Sequence, residues 1–191
     1  MKFYLKLMVI IVTLHWCGAI HANAQSLMFY EASKGSAEMY EVKSDGDIGK
    51  RLNSINGSWR RTWTDVEYYK AGSRHLVLLY EASTGSAEMY EAKADGSLGR
   101  LIKRIEGGWR RTWTDVEYVE DGGDDLLLFY EASTGSAEIY RIKADGDIGK
   151  RVHTINGTWR RSWTDVEYYK SGGQNLMLFY EASSGLSLIH I

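Results

Sequence analysis

The chain is predicted to be an all-β protein, a β-propeller assembled from four-stranded blades. Three observations carry that expectation. A unit of fifty residues returns without an insertion, so that Tyr30, Tyr80, Tyr130 and Tyr180 stand at equal spacing in "LMFYEASKGSAEMYE", "LVLLYEASTGSAEMYE", "LLLFYEASTGSAEIYR" and "LMLFYEASSG". Apolar and aromatic residues alternate or run together in short stretches bounded by glycine turns, and no helical period is sustained. Proline is absent throughout. Four-stranded units of this size cannot bury both faces alone, and propeller blades do so by packing face to face around an axis. A β-trefoil, which also has three units of four strands, is the rival fold. It would close after three units, whereas this chain enters a fourth at Leu176.

The strands of one unit follow in order. Residues 62–69, "TWTDVEYY", alternate and are rich in aromatic and β-branched side chains. Residues 76–82, "LVLLYEA", form a continuous apolar run, as expected of a strand covered on both faces. Residues 86–93 follow the turn "STG", and residues 100–105 are the most polar and most substituted stretch, as an outer edge facing water would be. Asp45-Gly46, Asp95-Gly96 and Asp145-Gly146 carry the strongest short hairpin signal, joining the third and fourth strands. "SGGQN" and "DGGDD" mark tips between the first and second.

Outside the repeat, "MKFYLK" is a basic start, "LMVIIVTLHWCGAI" an apolar run of signal-peptide length, and "ANA" at residues 22–24 an A-x-A cleavage signature. The expected organisation is a signal peptide over residues 1–24, a repeat domain over 25–185, and a tail over 186–191 that abandons the repeat. The product is expected to be secreted, either extracellular or periplasmic. Cys17 is the only cysteine and would leave with the leader, so stability rests on the core and the backbone ladders. Removing Lys2 and Lys6 from the 23 basic residues leaves 21 against 25 acidic ones, a net charge of −4, which argues against nucleic acid or an anionic membrane as partner. Where three copies predict "SAE-M/I-Y", the end reads "LSLIHI". It would leave the preceding apolar strand without its following partner. The chain is therefore expected to be a piece of a ring of roughly five to seven blades, or to close one by self-association.

The segments "LLLFYEASTGSAEIY" and "GTWRRSWTDVEYYKSGG" resemble a repeat of secreted propellers, in particular the FG-GAP/integrin-α-like family, with similarity in length and tryptophan use to tachylectin-like and tectonin propellers. The resemblance covers residues 27–185. It implies a propeller and, for several relatives, sugar binding between or on top of blades. Calcium-binding FG-GAP blades carry D-x-D-x-D-G, but here only "DGD" stands at Asp45/Asp47 and Asp145/Asp147, and the middle copy has Asp95-Gly96-Ser97. A hairpin turn accounts for these residues, and no metal or other cofactor is expected.

The candidate site lies in "WRRTWTDVEY", present at residues 59–68 and 109–118, and as "WRRSWTDVEY" at 159–168. Sugars present C–H faces that pack on an indole and hydroxyls that suit arginine and carboxylate partners. Trp59, Arg60, Trp109, Arg110, Trp159 and Arg160 follow a glycine turn and are the expected ligand-binding set. Trp63, Asp65, Trp113, Asp115, Trp163 and Asp165 have two readings: a tryptophan filling the wedge between blades with an Arg–Asp or Arg–Glu pair locking them, or further ligand contacts. Glu38, Glu88 and Glu138 share a strand face with Tyr40, Tyr90 and Tyr140, and either pair with Arg61-type residues or accept from a sugar. The shared tyrosines Tyr30, Tyr80, Tyr130 and Tyr180 are expected in the core. The five histidines never repeat, and there is no metal-ligand spacing, nucleophile elbow or phosphate loop, so no enzyme is expected. Asn56-Gly57-Ser58 and Asn156-Gly157-Thr158 match glycosylation acceptors in a eukaryotic host. The function expected is a multivalent binding module for glycans or glycoconjugates. A protein–protein adhesion scaffold is the alternative.

Overall fold

Alternation along the apolar strands builds the whole architecture. The computed structural model describes residues 8–13 and 25–190 apart from positions 44, 46, 94, 95 and 172. Four antiparallel sheets follow one another along the chain. The first holds β1 (Met8–Thr13), β2 (Gln25–Glu31), β3 (Ser36–Val42) and β4 (Ile48–Ile55), and the second β5 (Asp65–Ala71), β6 (Arg74–Glu81), β7 (Ser86–Ala92) and β8 (Leu98–Ile105). The third holds β9 (Asp115–Asp121), β10 (Asp124–Glu131), β11 (Ser136–Ile142) and β12 (Ile148–Ile155), and the last β13 (Asp165–Ser171), β14 (Gln174–Glu181) and β15 (Leu186–His190). Strands are neighbours in sequence order within each sheet, and contacts between sheets run through the first strands: β1 with β5, β5 with β9, β9 with β13. This is the blade arrangement of a propeller. The trefoil alternative fails because every unit closes as a meander of its own.

β6 shows why the apolar run is continuous. Val77 and Leu79 point into one core with Met28, Tyr30, Met39 and Trp63 of the first interface. Leu76, Leu78 and Tyr80 point the other way, into a core with Trp113, Leu127 and Phe129. Period-two alternation thus feeds two cores from one strand, and both sets must be apolar. A third core, with Leu128, Tyr130, Trp163, Val166 and Phe179, joins the last two sheets. The outer strands β4, β8 and β12 mix half-buried with exposed positions and bury none fully, as their polar sequences predict. Their pairing with β3, β7 and β11 slips at the same two places in each sheet, around Tyr40, Tyr90 and Tyr140. Such bulges increase local twist and turn an edge away from further pairing.

Two expectations about the ends need restating. Met8–Thr13 pairs with β2 in the position that β5 takes beside β6, while the rest of the expected signal peptide, residues 1–7 and 14–24, lies outside the described residues. The tail does supply a partner to β14. Glu181 pairs with Leu186 and Phe179 with Leu188, the register in which Glu81 meets Ser86 and Leu79 meets Glu88. Backbone hydrogen bonding and the turn before Gly185 form this hairpin whatever the side chains. Those side chains suit water poorly, and Leu186, Leu188 and Ile189 stay exposed.

Candidate functional site

The WRR segment is the connection between blades, and its backbone belongs to the blade it leaves. Trp59 N–H donates to Gly35 O at 3.1 Å, Trp109 to Gly85 O at 3.2 Å and Trp159 to Gly135 O at 3.1 Å. Gly35, Gly85 and Gly135 have φ of 66°, 70° and 69°, and a Cβ on any of them would collide with the carbonyl oxygen of Trp59, Trp109 or Trp159. Glycine is therefore required there both for conformation and for space. The Tyr30 hydroxyl donates to Arg60 O at 2.6 Å and Tyr80 to Arg110 O at 2.5 Å, and Tyr130 donates to Arg160 O. Burial pushes all three hydroxyls up to about 12, so they remain donors across the ordinary pH range. Tyr180, the fourth of the series, is 39% exposed and is the one that lies outside the core.

The side chains of the same segment reach the blade it enters. Trp63, Trp113 and Trp163 are buried in the wedge between sheets. The Arg60 guanidinium stands 4.9 Å over the Trp63 ring, meets Glu88 at 2.9 Å and approaches Glu81 at 3.7 Å. Arg110 repeats this over Trp113 at 4.6 Å, with Glu138 at 3.0 Å and Glu131 at 3.2 Å. Arg160 stands over Trp163 at 5.4 Å with Glu181 at 3.9 Å, because Leu188 occupies the place of the second carboxylate. Glu88 and Glu138 also accept from Arg104, Arg151, Tyr90 and Tyr140, and Glu38 from Arg51 and Tyr40. The arginine that pairs with these glutamates is thus the first of the pair rather than the Arg61 type expected from sequence. The stem of the second lies by Gly35, Gly85 or Gly135 of the blade before, away from these glutamates. Trp59, Trp109 and Trp159 are half-buried, with Trp59 5.8 Å from Tyr30, and Trp109 and Trp159 edge-on to Phe129 and Phe179 at 5.4 and 4.9 Å.

Asp65 and Asp115 sit elsewhere, at the axis. Asp65 Oδ2 accepts the Val116 N–H at 2.5 Å, and Asp115 Oδ2 accepts that of Val166 at 2.6 Å. Two residues on, Glu67 Oε1 accepts from Tyr118 N–H at 2.9 Å and Glu117 Oε1 from Tyr168 N–H at 2.7 Å. Each innermost strand would otherwise leave its N–H edge bare. Carboxylates from the preceding innermost strand take the place of a paired strand. Asp165 holds the equivalent register position on β13. Burial, then neighbouring acids, push Glu67 and Glu117 well above the usual carboxylate range, and Glu167 up to about 8. Of the Arg–Asp or Arg–Glu lock expected between blades, the arginines pair with glutamates, while the aspartates form a carboxylate–backbone clasp. The sequence alone does not assign the clasp to Glu67 and Glu117, nor the arginine contacts to Glu81 and Glu131. The signal was the equal spacing of the Glu in "DVE" and in "YEAS".

At the other end of the blades, Asp47 and Asp147 N–H donate to Asp45 and Asp145 Oδ1 at 3.0 Å, as turn residues do, and Asp147 meets Lys143 at 2.9 Å and Lys103 of the preceding blade.

No protein-family model matches the chain, and no curated protein sequence matches it. Solved structures do. An exo-β-1,3-galactanase from Phanerochaete chrysosporium, solved with galactose, superposes with a TM-score of 0.63 at 12% identity over 91% of this chain and 43% of that one. An exo-β-1,3-galactanase from Clostridium thermocellum gives 0.54 at 11% over 86% and 42%, and an endo-arabinase from Bacteroides thetaiotaomicron 0.54 at 13% over 97% and 74%. This chain spans less than half the length of either galactanase. At these identities the likeness is one of fold, and the fold is the β-propeller. It also corrects one expectation. The sequence by itself points to no enzyme, yet these neighbours are glycoside hydrolases. A propeller brings residues fifty apart to one axis, as Asp65 and Asp115 show, so the lack of a contiguous catalytic motif carries no weight against activity.

Proposed function

We propose that this chain is the carbohydrate-binding propeller of an exported protein, akin in repeat design to the FG-GAP/integrin-α-like and tachylectin/tectonin-like propellers. The observation that carries the reading is the recurrence, at the same end of successive blades, of a half-buried indole beside an arginine: Trp59–Arg60, Trp109–Arg110 and Trp159–Arg160. An indole packs on the C–H face of a sugar while guanidinium and carboxylate address its hydroxyls. Equivalent weak sites on one rigid body gain roughly 10²–10⁴ in avidity on a repetitive glycan. The carbohydrate-active propellers that share the fold lend support to the ligand class.

The test is a glycan array read with the chain and with its W59A/W109A/W159A variant, and the bound glycans assayed for released sugar. Binding that disappears in the variant while β-sheet circular dichroism persists supports the reading. Release of sugar would add catalysis to it. An array on which the unaltered chain retains nothing sinks it. A protein-adhesion scaffold is the second reading, favoured by the engagement of Arg60 and Arg110 with buried carboxylates. Its mark would be variants that unfold, or that stay folded with no glycan binding to lose.

A further inference from the structure

The two arginines of each WRR segment have opposite fates. Arg60 and Arg110 are matched by carboxylates and capped by indoles, as above. Arg61, Arg111 and Arg161 are exposed, and among the described residues no carboxylate pairs with any of them. Their stems lie beside a turn: the Cγ atoms are 3.3, 3.4 and 3.5 Å from where a Cβ would stand on Gly35, Gly85 and Gly135, next to the exposed Ser-Lys or Ser-Thr turn of the blade before. Around the first connection Arg60 and Arg104 face Glu81 and Glu88, and Arg61 is the charge in excess. Around the second Arg110 and Arg151 face Glu131 and Glu138, and Arg111 is in excess; around the third Arg160 faces Glu181, and Arg161 is in excess. A chain with a formal charge of −2 therefore carries one surplus guanidinium per connection, at one end of its blades, two residues from the indole of the proposed site.

Resting on the carbohydrate reading above, we infer that the glycan is anionic, a polysaccharide bearing carboxylate or sulfate groups, and that Arg61, Arg111 and Arg161 take those groups while Trp59, Trp109 and Trp159 pack on the sugar faces. A guanidinium offers paired donors in the plane that a carboxylate or sulfate accepts. The stem's contact with the turn glycine removes part of the entropy that an exposed arginine loses on binding. A neutral sugar would give such a residue nothing to neutralise. The middle copy carries exposed Glu106 where the others have Asn56 and Asn156, so its site is the least favourable of the three to an anion.

The experiment is affinity electrophoresis or biolayer interferometry of the full chain against polygalacturonate, dextran sulfate, neutral galactan and dextran. It is repeated with R61Q/R111Q/R161Q and with W59A/W109A/W159A. Glutamine keeps the Cγ that touches the turn, and circular dichroism and the melting midpoint check folding. The expected result is retention on an anionic polymer that weakens roughly tenfold or more in the arginine variant. It should also fade as salt shortens the Debye length below about 10 Å. Polygalacturonate alone identifies carboxylate and dextran sulfate alone identifies sulfate. Equal binding of neutral galactan, insensitive to the arginine changes and lost in the tryptophan variant, overturns the inference and leaves the carbohydrate reading standing. Anionic binding that survives the arginine changes in full also overturns it. Retention on none of the four defeats both.

Discussion

Each repeat of this chain carries two sets of carboxylates, and the physical contrast between them explains more than their shared spacing. At the axis, Glu67, Glu117 and Glu167 are surrounded by burial and by other acids, and all three are pushed upward. At the connection, partial burial pushes Glu81 and Glu131 up. Hydroxyls of Thr62, Ser83 and Thr84, or of Thr112 and Ser133, together with Arg60 or Arg110, more than offset that, and both end below the usual range. The axis holds blades together through backbone N–H groups, and the connection through arginines and an indole. The same residue type at the same interval thus has opposite electrostatics, set by burial and by the sign of its neighbours. Repetition alone says that a residue is needed once per blade, not what for.

Packing underlies both sets, so the largest effect is expected where it is removed. Trp113 fills the wedge between the second and third sheets and supports Arg110 from below. Trp113→Ala is expected to cost about 3–5 kcal/mol, read as a shift of the denaturation midpoint in urea. A cost below about 1 kcal/mol would mean that the wedge is not what joins the blades.

The second prediction uses the opposite pKa shifts. A carboxyl whose native pKa lies above its unfolded value holds more protons when folded. Its stabilising contribution is complete below about 4.5 and is lost as pH rises through the native value, about 8 for Glu167. Glu81 and Glu131 have the reverse sign: their contribution is present above about 4.5 and is lost as pH falls through their depressed native values. Stability should therefore decline on both sides, with the axis failing first in alkali. Glu117→Gln keeps an oxygen for the Tyr168 N–H but cannot ionise. Melting midpoints from pH 5 to 9 should fall less steeply in this variant than in the parent chain. An identical slope would remove the axial glutamates from the alkaline limb.

What the sequence revealed follows the same division. The strands at 76–82 and 86–93 were legible because period-two patterning and turn glycines are local, and β6 and β7 differ from them by at most two residues at each end. Alternation in the sequence starts the first strand at residue 62, but β5 begins at Asp65. Trp63 had the alternation of a strand yet turns into the wedge, a demand made by the neighbouring sheet. Trp63 and Asp65 could be suspected as clasps from their recurrence. That Asp65 meets the backbone of the next blade, and that Arg60 rather than Arg61 meets Glu88, depends on which edges the ring brings together, and no spacing along one chain encodes that. The pairing of "LSLIH" with β14 is not legible in the repeat for a related reason, since a hairpin is held by its backbone even where its side chains fit the repeat poorly.

The smallest effect tests the connection. Arg110 is 45% exposed at its side chain, and Glu138 keeps Arg151 and Tyr140 when Arg110 is lost. Arg110→Ala is therefore expected to cost about 0–1 kcal/mol, most of it through the lost contact with Trp113. Arg160 already lacks the second carboxylate, so Arg160→Ala should cost less still. A double-mutant cycle pairing Arg110→Ala with Glu138→Gln separates the ion pair from the indole contact. A coupling well above about 1 kcal/mol would place the main lock between blades at the connection. A small coupling beside a steep alkaline limb would place it at the axis, leaving the arginine edge free to answer to a ligand rather than to the fold.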